Sequence, residues 1–163
     1  MKNSNLKIQT LIVLVFVLII GCQTNEKPKE ISKTSSEDLK TQIKTQVDSL
    51  YKVYQRFDYD WIEFYDNQFT AIYPDTPISL IKKDSLKAQW ENIYNKYEVK
   101  LLDRGEPTII ESEDMAISYN SFNEIFINKS TNDTIKNVGT YIIAWKRQLD
   151  DSWKIVFETL HNN

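Results

Sequence analysis

The hydrophobic period changes after Tyr97, and this constrains the chain more than any other feature. Up to that point apolar residues recur every three or four positions. Leu39, Ile43, Val47, Leu50, Tyr54 and Phe57 fall on one stripe of an α-helix. Ser35, with Asp38 three residues on, has the form of a capping signal at its start. Asp60 can cap a short helix carrying Trp61, Phe64 and Tyr65. Phe69, Ala71 and Tyr73 alternate as in a short strand, which Pro74-Asp75-Thr76-Pro77 breaks. A further helix is expected after Asp84, with Leu86, Trp90, Ile93 and Tyr97 on one face.

Beyond Tyr97 the period is two. Val99 to Glu111 reads as a strand interrupted at Gly105-Glu106-Pro107, where the proline marks a bulge or an edge. Ser112-Glu113-Asp114 is a turn and Met115 to Ile127 a long strand. The polar loop Asn128 to Lys136 follows, and then a strand over Asn137 to Leu149. Asp150-Asp151-Ser152 makes a hairpin into the last strand, Trp153 to Leu160. Helices first and long antiparallel strands after give an α+β domain. Hydrophobic residues make up 41% of the chain, enough for one core of the common domain size.

The N-terminus has a different character. Lys2 and Lys7 precede the apolar run Leu11 to Ile20, and Gly21-Cys22 follows at once. A basic region and a short apolar region are the parts of a secretory signal, and the run is too short for the ~20 residues that span a bilayer. A small residue and then Cys at this place resembles the lipobox of bacterial lipoproteins. The resemblance implies cleavage before Cys22 and acylation of its thiol, so that residues 1–21 are a signal peptide. Residues 22–36 are then the lipidated Cys and a tether, and residues 37–163 the domain. Two or three acyl chains suffice for stable anchoring. Cys22 is the only cysteine, so no disulfide can form within the chain. Gln23 stands where enteric lipoproteins retained in the inner membrane carry Asp, which points to the outer membrane of a Gram-negative cell envelope. From Gln23 to Ser36 only Ile31 is a large apolar residue, so the tether cannot order itself by burial.

Loss of residues 1–21 removes two lysines and no acid. The net charge therefore moves from −3 to −5, against the basic stripe of a nucleic-acid binder.

Three stretches carry a further resemblance. Gly139-Thr140-Tyr141-Ile142-Ile143-Ala144-Trp145-Lys146-Arg147 and, after the turn, Trp153-Lys154-Ile155-Val156 are similar to the terminal hairpin of the nuclear transport factor 2-like superfamily. This superfamily includes the ketosteroid isomerases and SnoaL-like cyclases. Leu86 and Trp90 match apolar positions of that family's third helix, although Lys82 replaces its usual Gly. The resemblance covers about Leu39 to Leu160. It implies N-terminal helices packed in a curved antiparallel sheet, a cone with a cavity open at one end. Residues expected around that cavity are Trp61, Tyr65, Tyr73, Trp90 and Tyr94 from the helices and first strand, and Asn120, Tyr141, Phe157 and Thr159 from the sheet. Such a set is apolar with scattered hydroxyls, as small-molecule pockets are.

The candidate chemistries are few. Family isomerases carry a carboxylate base just before a proline at the end of the first strand. Here that dipeptide is Tyr73-Pro74, and Asp75 reads as a solvated turn residue. Alternation with Phe157 and Thr159 turns Glu158 to the outer face. His161, the only histidine, sits two residues from the C-terminus, and one His with one acylated Cys makes no metal site of the usual kinds. No residue is assigned a catalytic role, and no cofactor is expected. The expected function is a lipid-anchored, non-catalytic cone that binds an apolar small molecule or a partner protein. The alternatives are an isomerase, cyclase or hydrolase using the cone, or a structural envelope protein acting through its sheet. Thr140, Ile142 and Ala144 alternate with Tyr141, Ile143 and Trp145, so both faces of that strand are apolar and the outer one suits a homodimer.

Replacing the acylated thiol tests the anchor. Cys22→Ser should lose all incorporation of radioactive palmitate, since a hydroxyl does not accept the diacylglyceryl group. Equal label on both proteins would refute lipidation.

Overall fold

The computed structural model describes residues 35–74 and 76–162; the signal, Cys22, the tether up to residue 34 and Asp75 lie outside them. Helix α1 spans Ser36–Tyr54. The Ser35 hydroxyl accepts the Asp38 N–H at 3.1 Å, and Glu37 and Asp38 place negative charge at the positive end of the helix. Its apolar stripe buries Leu39, Ile43, Val47, Leu50 and Tyr51. Phe57 does not extend the stripe. The helix stops at Tyr54, and Phe57 takes a left-handed φ of 55° with its side chain exposed.

A 3-10 helix, Asp60–Phe64, then buries Trp61 and Ile62 and leads straight into strand β1, Tyr65–Ile72. Strand β2, Ser79–Lys82, follows, and helix α2 covers Lys83–Lys96. Five more strands complete the domain: β3 (Tyr97–Arg104), β4 (Thr108–Glu111), β5 (Met115–Asn128), β6 (Thr134–Arg147) and β7 (Trp153–Asn162). The order across the sheet is β2-β1-β7-β6-β5-β3, with β4 also paired to β5. The sheet is mixed. Strands β1 and β7 run parallel, and the other pairs are antiparallel. Strand β2 has no counterpart in the sequence reading. It is a four-residue edge strand with Leu80 exposed, too short to show a period.

One register feature positions everything that follows. Trp145 pairs with Ile155 and its neighbour Ala144 with Phe157, so Val156 is an extra residue in β7. Such a bulge bends the strand and resets which side chains face the core. Near the other end of the hairpin, Gly139 lies against the β7 backbone. A β-carbon there would come within 2.1 Å of the His161 carbonyl oxygen, so only glycine allows this approach.

The helices pack on the concave face of the sheet. Ile43, Val47, Phe69, Leu86, Ile143, Trp145 and Ile155 are fully enclosed. The Trp145 indole N–H donates to Ser118 Oγ at 2.8 Å, which satisfies the deepest polar atoms. Trp153 is buried under α1, with its N–H on Gln42 Oε1 at 3.3 Å. Trp153→Ala should therefore cost about 3–5 kcal/mol and lower the melting temperature by roughly 10 °C. A shift of less than ~3 °C in thermal denaturation would contradict this packing.

Candidate functional site

Between the helices and the sheet lies a cavity of about 230 Å³. Helix α1 contributes Tyr51 and Tyr54, one turn apart on the stripe that buries the helix. The 3-10 helix contributes Trp61, and α2 contributes Trp90 and Ile93. Tyr65 and Tyr73 enter from the two ends of β1, and Phe122, Glu124, Phe126, Asn137, Tyr141 and Glu158 from the sheet. The wall is mostly aromatic, with two carboxyl groups set into it.

Glu158 is 3% exposed. Three phenols converge on it: Tyr65 and Tyr141 on Oε2, and Tyr73 on Oε1. The Tyr65 and Tyr141 oxygens also lie 2.8 Å from each other. These are four oxygen–oxygen contacts. With Glu158 ionised, the three phenol protons fill the contacts to the carboxylate and none remains between Tyr65 and Tyr141. A proton on Glu158 supplies the fourth. Burial acts the same way, raising the Glu158 carboxyl above its ordinary value against the opposing pull of Tyr141, Tyr65 and Tyr73. Burial, reinforced by the nearby Glu158 charge, pushes all three phenols up, so they remain protonated donors.

Glu124 forms a second polar station. Its Oε2 accepts the Tyr54 hydroxyl at 2.9 Å and its Oε1 the Asn137 Nδ2–H at 2.6 Å. Burial raises this carboxyl too, opposed by both donors. Glu124 is level with Asn137 on β6 and Glu158 with Ile143, six residues apart. Each acid has its own donors, Tyr54 and Asn137 for Glu124 and three phenols for Glu158, so they are not a hydrogen-bonded, proton-sharing pair.

Of the residues expected around the cavity, Trp61, Tyr65, Tyr73, Trp90 and Tyr141 line it. Tyr94 stands behind Trp90, with ring centroids 5.4 Å apart. Asn120 is buried behind Tyr51, and its Nδ2 donates to the Tyr51 hydroxyl at 2.9 Å. Phe157 and Thr159 do not line the cavity, and Glu158 does not face outward. The cause is the bulge at Val156. Unbroken alternation from Trp153 and Ile155 would carry Phe157 and Thr159 inward, but the extra residue brings in Glu158 and Leu160. The sequence offered no mark for this bulge. Glu124 was missed for another reason. It shares the buried phase of Ala116, Ser118, Asn120 and Phe122, which is the more polar one; Met115, Ile117 and Tyr119 of the other phase are exposed, so hydrophobic alternation turns Glu124 outward. His161 is exposed on the far end of β7.

No family model and no curated protein matches the sequence. Solved structures do. A ketosteroid isomerase-like protein from Erwinia carotovora atroseptica has 18% identity and a TM-score of 0.62, over 78% of this chain and 98% of that one. A nuclear transport factor 2-like superfamily protein from Salmonella enterica serovar Typhimurium has 13% identity and a TM-score of 0.62, over 78% and 93%. A candidate scytalone dehydratase from Novosphingobium aromaticivorans has 13% identity and a TM-score of 0.65, over 76% and 83%. At these identities the likeness is one of fold. The chain has the cone-shaped nuclear transport factor 2-like fold, an α+β architecture whose concave face encloses a small-molecule-sized cavity.

The state of Glu158 can be read from stability. An unfolded glutamate titrates near 4.5 and the folded Glu158 higher. Its stabilisation is thus complete below pH 4.5 and declines as the pH rises through the folded value, by about 1.4 kcal/mol per unit of elevation. Glu158→Gln carries no such proton. Its melting temperature should fall less than the wild-type value between pH 4.5 and the pH at which the wild-type loss levels off. An equal or steeper fall in the variant would mean that Glu158 is ionised throughout.

Proposed function

We propose that this chain is a small-ligand-binding cone, held at the cell envelope by lipid on Cys22, that binds its ligand without transforming it. The observation that carries the reading is the aromatic cavity, whose more buried acid already accepts from three phenols. Tyr65, Tyr73 and Tyr141 all turn their oxygens to Glu158. General-base catalysis requires a lone pair free to meet the substrate proton. Here three of the roughly four acceptor positions of Glu158 already meet phenols. At about 230 Å³ the cavity is smaller than the ~300 Å³ at the lower end of drug-sized pockets, so the ligand is small.

A second reading is favoured by one observation. A buried carboxyl raised towards neutral pH beside a cavity is the usual setting of a proton-transfer enzyme. On that reading Glu158 would exchange a C–H proton of a bound ketone, and the phenols would hold the developing negative oxygen.

The sheet's outer face supports a proposal about partners. Ile110 pairs with Ile117 and Ile117 with Ala144, which makes an apolar strip across β4, β5 and β6. Ile110 is 59% exposed and Ile117 41%. We assign this strip to a second copy of the chain, since a two-fold axis would bury the same apolar patch on both copies.

Tryptophan emission tests the main reading, because Trp61 and Trp90 both line the cavity. A panel of aromatic compounds of about eight to ten heavy atoms should contain members that shift the emission. Trp90→Ala should weaken those hits at least tenfold with little change in melting temperature. A silent panel would overturn the binding reading. Deuterium incorporation into a bound ketone, lost in Glu158→Gln, would replace it with the enzymatic one.

A further inference from the structure

The charge balance of the cavity is one-sided. Among the described residues its wall carries Glu124 and Glu158 and no Lys, Arg or His. The closest arginine described against this aromatic wall is Arg104, which lies over the Tyr51 ring at 4.9 Å, outside the cavity lining and ion-paired with Asp48. An anionic ligand would meet two acids and no counter-charge. A neutral one would bury both acids further without pairing them, at a cost in solvation.

The aromatic groups around Glu124 are arranged in a definite way. Tyr54, Trp61 and Trp90 stand at nearly right angles to one another, with interplanar angles of 82°, 87° and 76° and centroids 5.1 to 5.8 Å apart. The rings pack edge to face: Trp61 is 3% exposed, while Tyr54 and Trp90 are half-buried and keep surface towards the cavity. Tyr54 also belongs to Glu124, through its hydroxyl. The two acids also differ in spare capacity. Glu158 is covered by three phenols, whereas Glu124 has one donor on each oxygen, from Tyr54 and Asn137. An ionised carboxylate has about four acceptor sites, so Glu124 has about two left.

We propose that the ligand of this cone is a small organic ammonium cation, seated beside Tyr54 and Trp90 with its charge against Glu124. The inference rests on the reading of the cone as a ligand-binding cavity and names the ligand's class. Ring faces attract a cation through their quadrupole, most strongly for Trp, and the attraction grows when water is excluded. The carboxylate supplies the formal counter-charge. The size is consistent, since about 230 Å³ lies below the ~300 Å³ of drug-sized pockets.

Pairs of probes that differ only in charge test this. Choline and its uncharged isostere 3,3-dimethyl-1-butanol form one pair, and benzylammonium and benzyl alcohol a second. Each is titrated into the purified domain at pH 7.5 by calorimetry. The ammonium member of each pair should bind at least tenfold tighter. Glu124→Gln should bring that ratio to about twofold while leaving the alcohols unchanged. Trp90→Leu keeps apolar volume but removes a ring face, and should weaken the ammonium probes at least fivefold and the alcohols less than twofold. Alcohols that bind as tightly as the ammonium probes would overturn the cation assignment and leave the binding cone standing. Binding of none of the four, together with a silent emission panel, would overturn both. A tenfold ratio that survives in Glu124→Gln would overturn the seat at Glu124.

Discussion

A carboxyl group can stay inside an apolar cone only if its hydrogen-bonding groups are met there. Glu158 depends on this constraint, and much of the cone is arranged to satisfy it. Its three partners come from two strands that flank β7: Tyr65 at the start of β1 and Tyr73 just past its end, and Tyr141 on β6. They converge only because β1 runs parallel to β7 while β6 runs antiparallel to it on the other side. An unmet buried carboxyl costs several kcal/mol, so the phenols and the acid stabilise one another's positions. The local pairing of three strands is thereby tied to the geometry of a single side chain.

The bulge at Val156 is what admits that side chain. Before it, β7 buries Trp153 and Ile155 in the hydrophobic core; after it, Glu158 and Leu160 turn to the cavity. One inserted residue thus divides the strand into a part that packs in the core and a part that lines the cavity. Helix α1 shows a similar division by simple periodicity. Ile43 and Val47 fill the core, and Leu50, Tyr51 and Tyr54, further along the same stripe, form the wall of the cavity. Gly139 lets β6 and β7 approach closely beyond the bulge, where the sheet curls over the site.

The parts legible in the sequence are those that rest on local periodicity. The stripe from Leu39 to Tyr54, the capping Ser35 and the strands β5 to β7 follow from spacing alone, and the resemblance in the Gly139 hairpin carried the cone. What escaped depends on interactions distant in the chain. Nothing near Val156 marks a bulge, because its cause is the register that β7 adopts between β1 and β6. Phe57 matches the helical stripe but falls past the helix end, in a left-handed conformation that follows from the turn into the 3-10 helix. Glu124 escaped because the buried phase of β5, with Ser118 and Asn120, is less apolar than the exposed phase with Met115, Ile117 and Tyr119. An acid at an inward position reads as an error of register until its partners, Tyr54 and Asn137, are seen beside it.

The resemblance to isomerases of this fold led to a carboxylate before the proline that ends the first strand, and Tyr73 stands there instead. Its hydroxyl reaches Glu158, so the acid missing from β1 is supplied by β7 through that tyrosine. The exchange alters what the position can do. A carboxylate at the strand end would face the cavity with free lone pairs, whereas a phenol whose proton is committed to a buried acid presents mainly a ring. With Tyr65 and Tyr141 committed in the same way, the deep end of the cone becomes an aromatic floor over a shielded acid. The less covered acid is Glu124, on a strand that fold-level analogy did not single out. The acid with acceptor positions to spare thus lies on β5, hydrogen-bonded to Tyr54 and Asn137, and not at the end of β1.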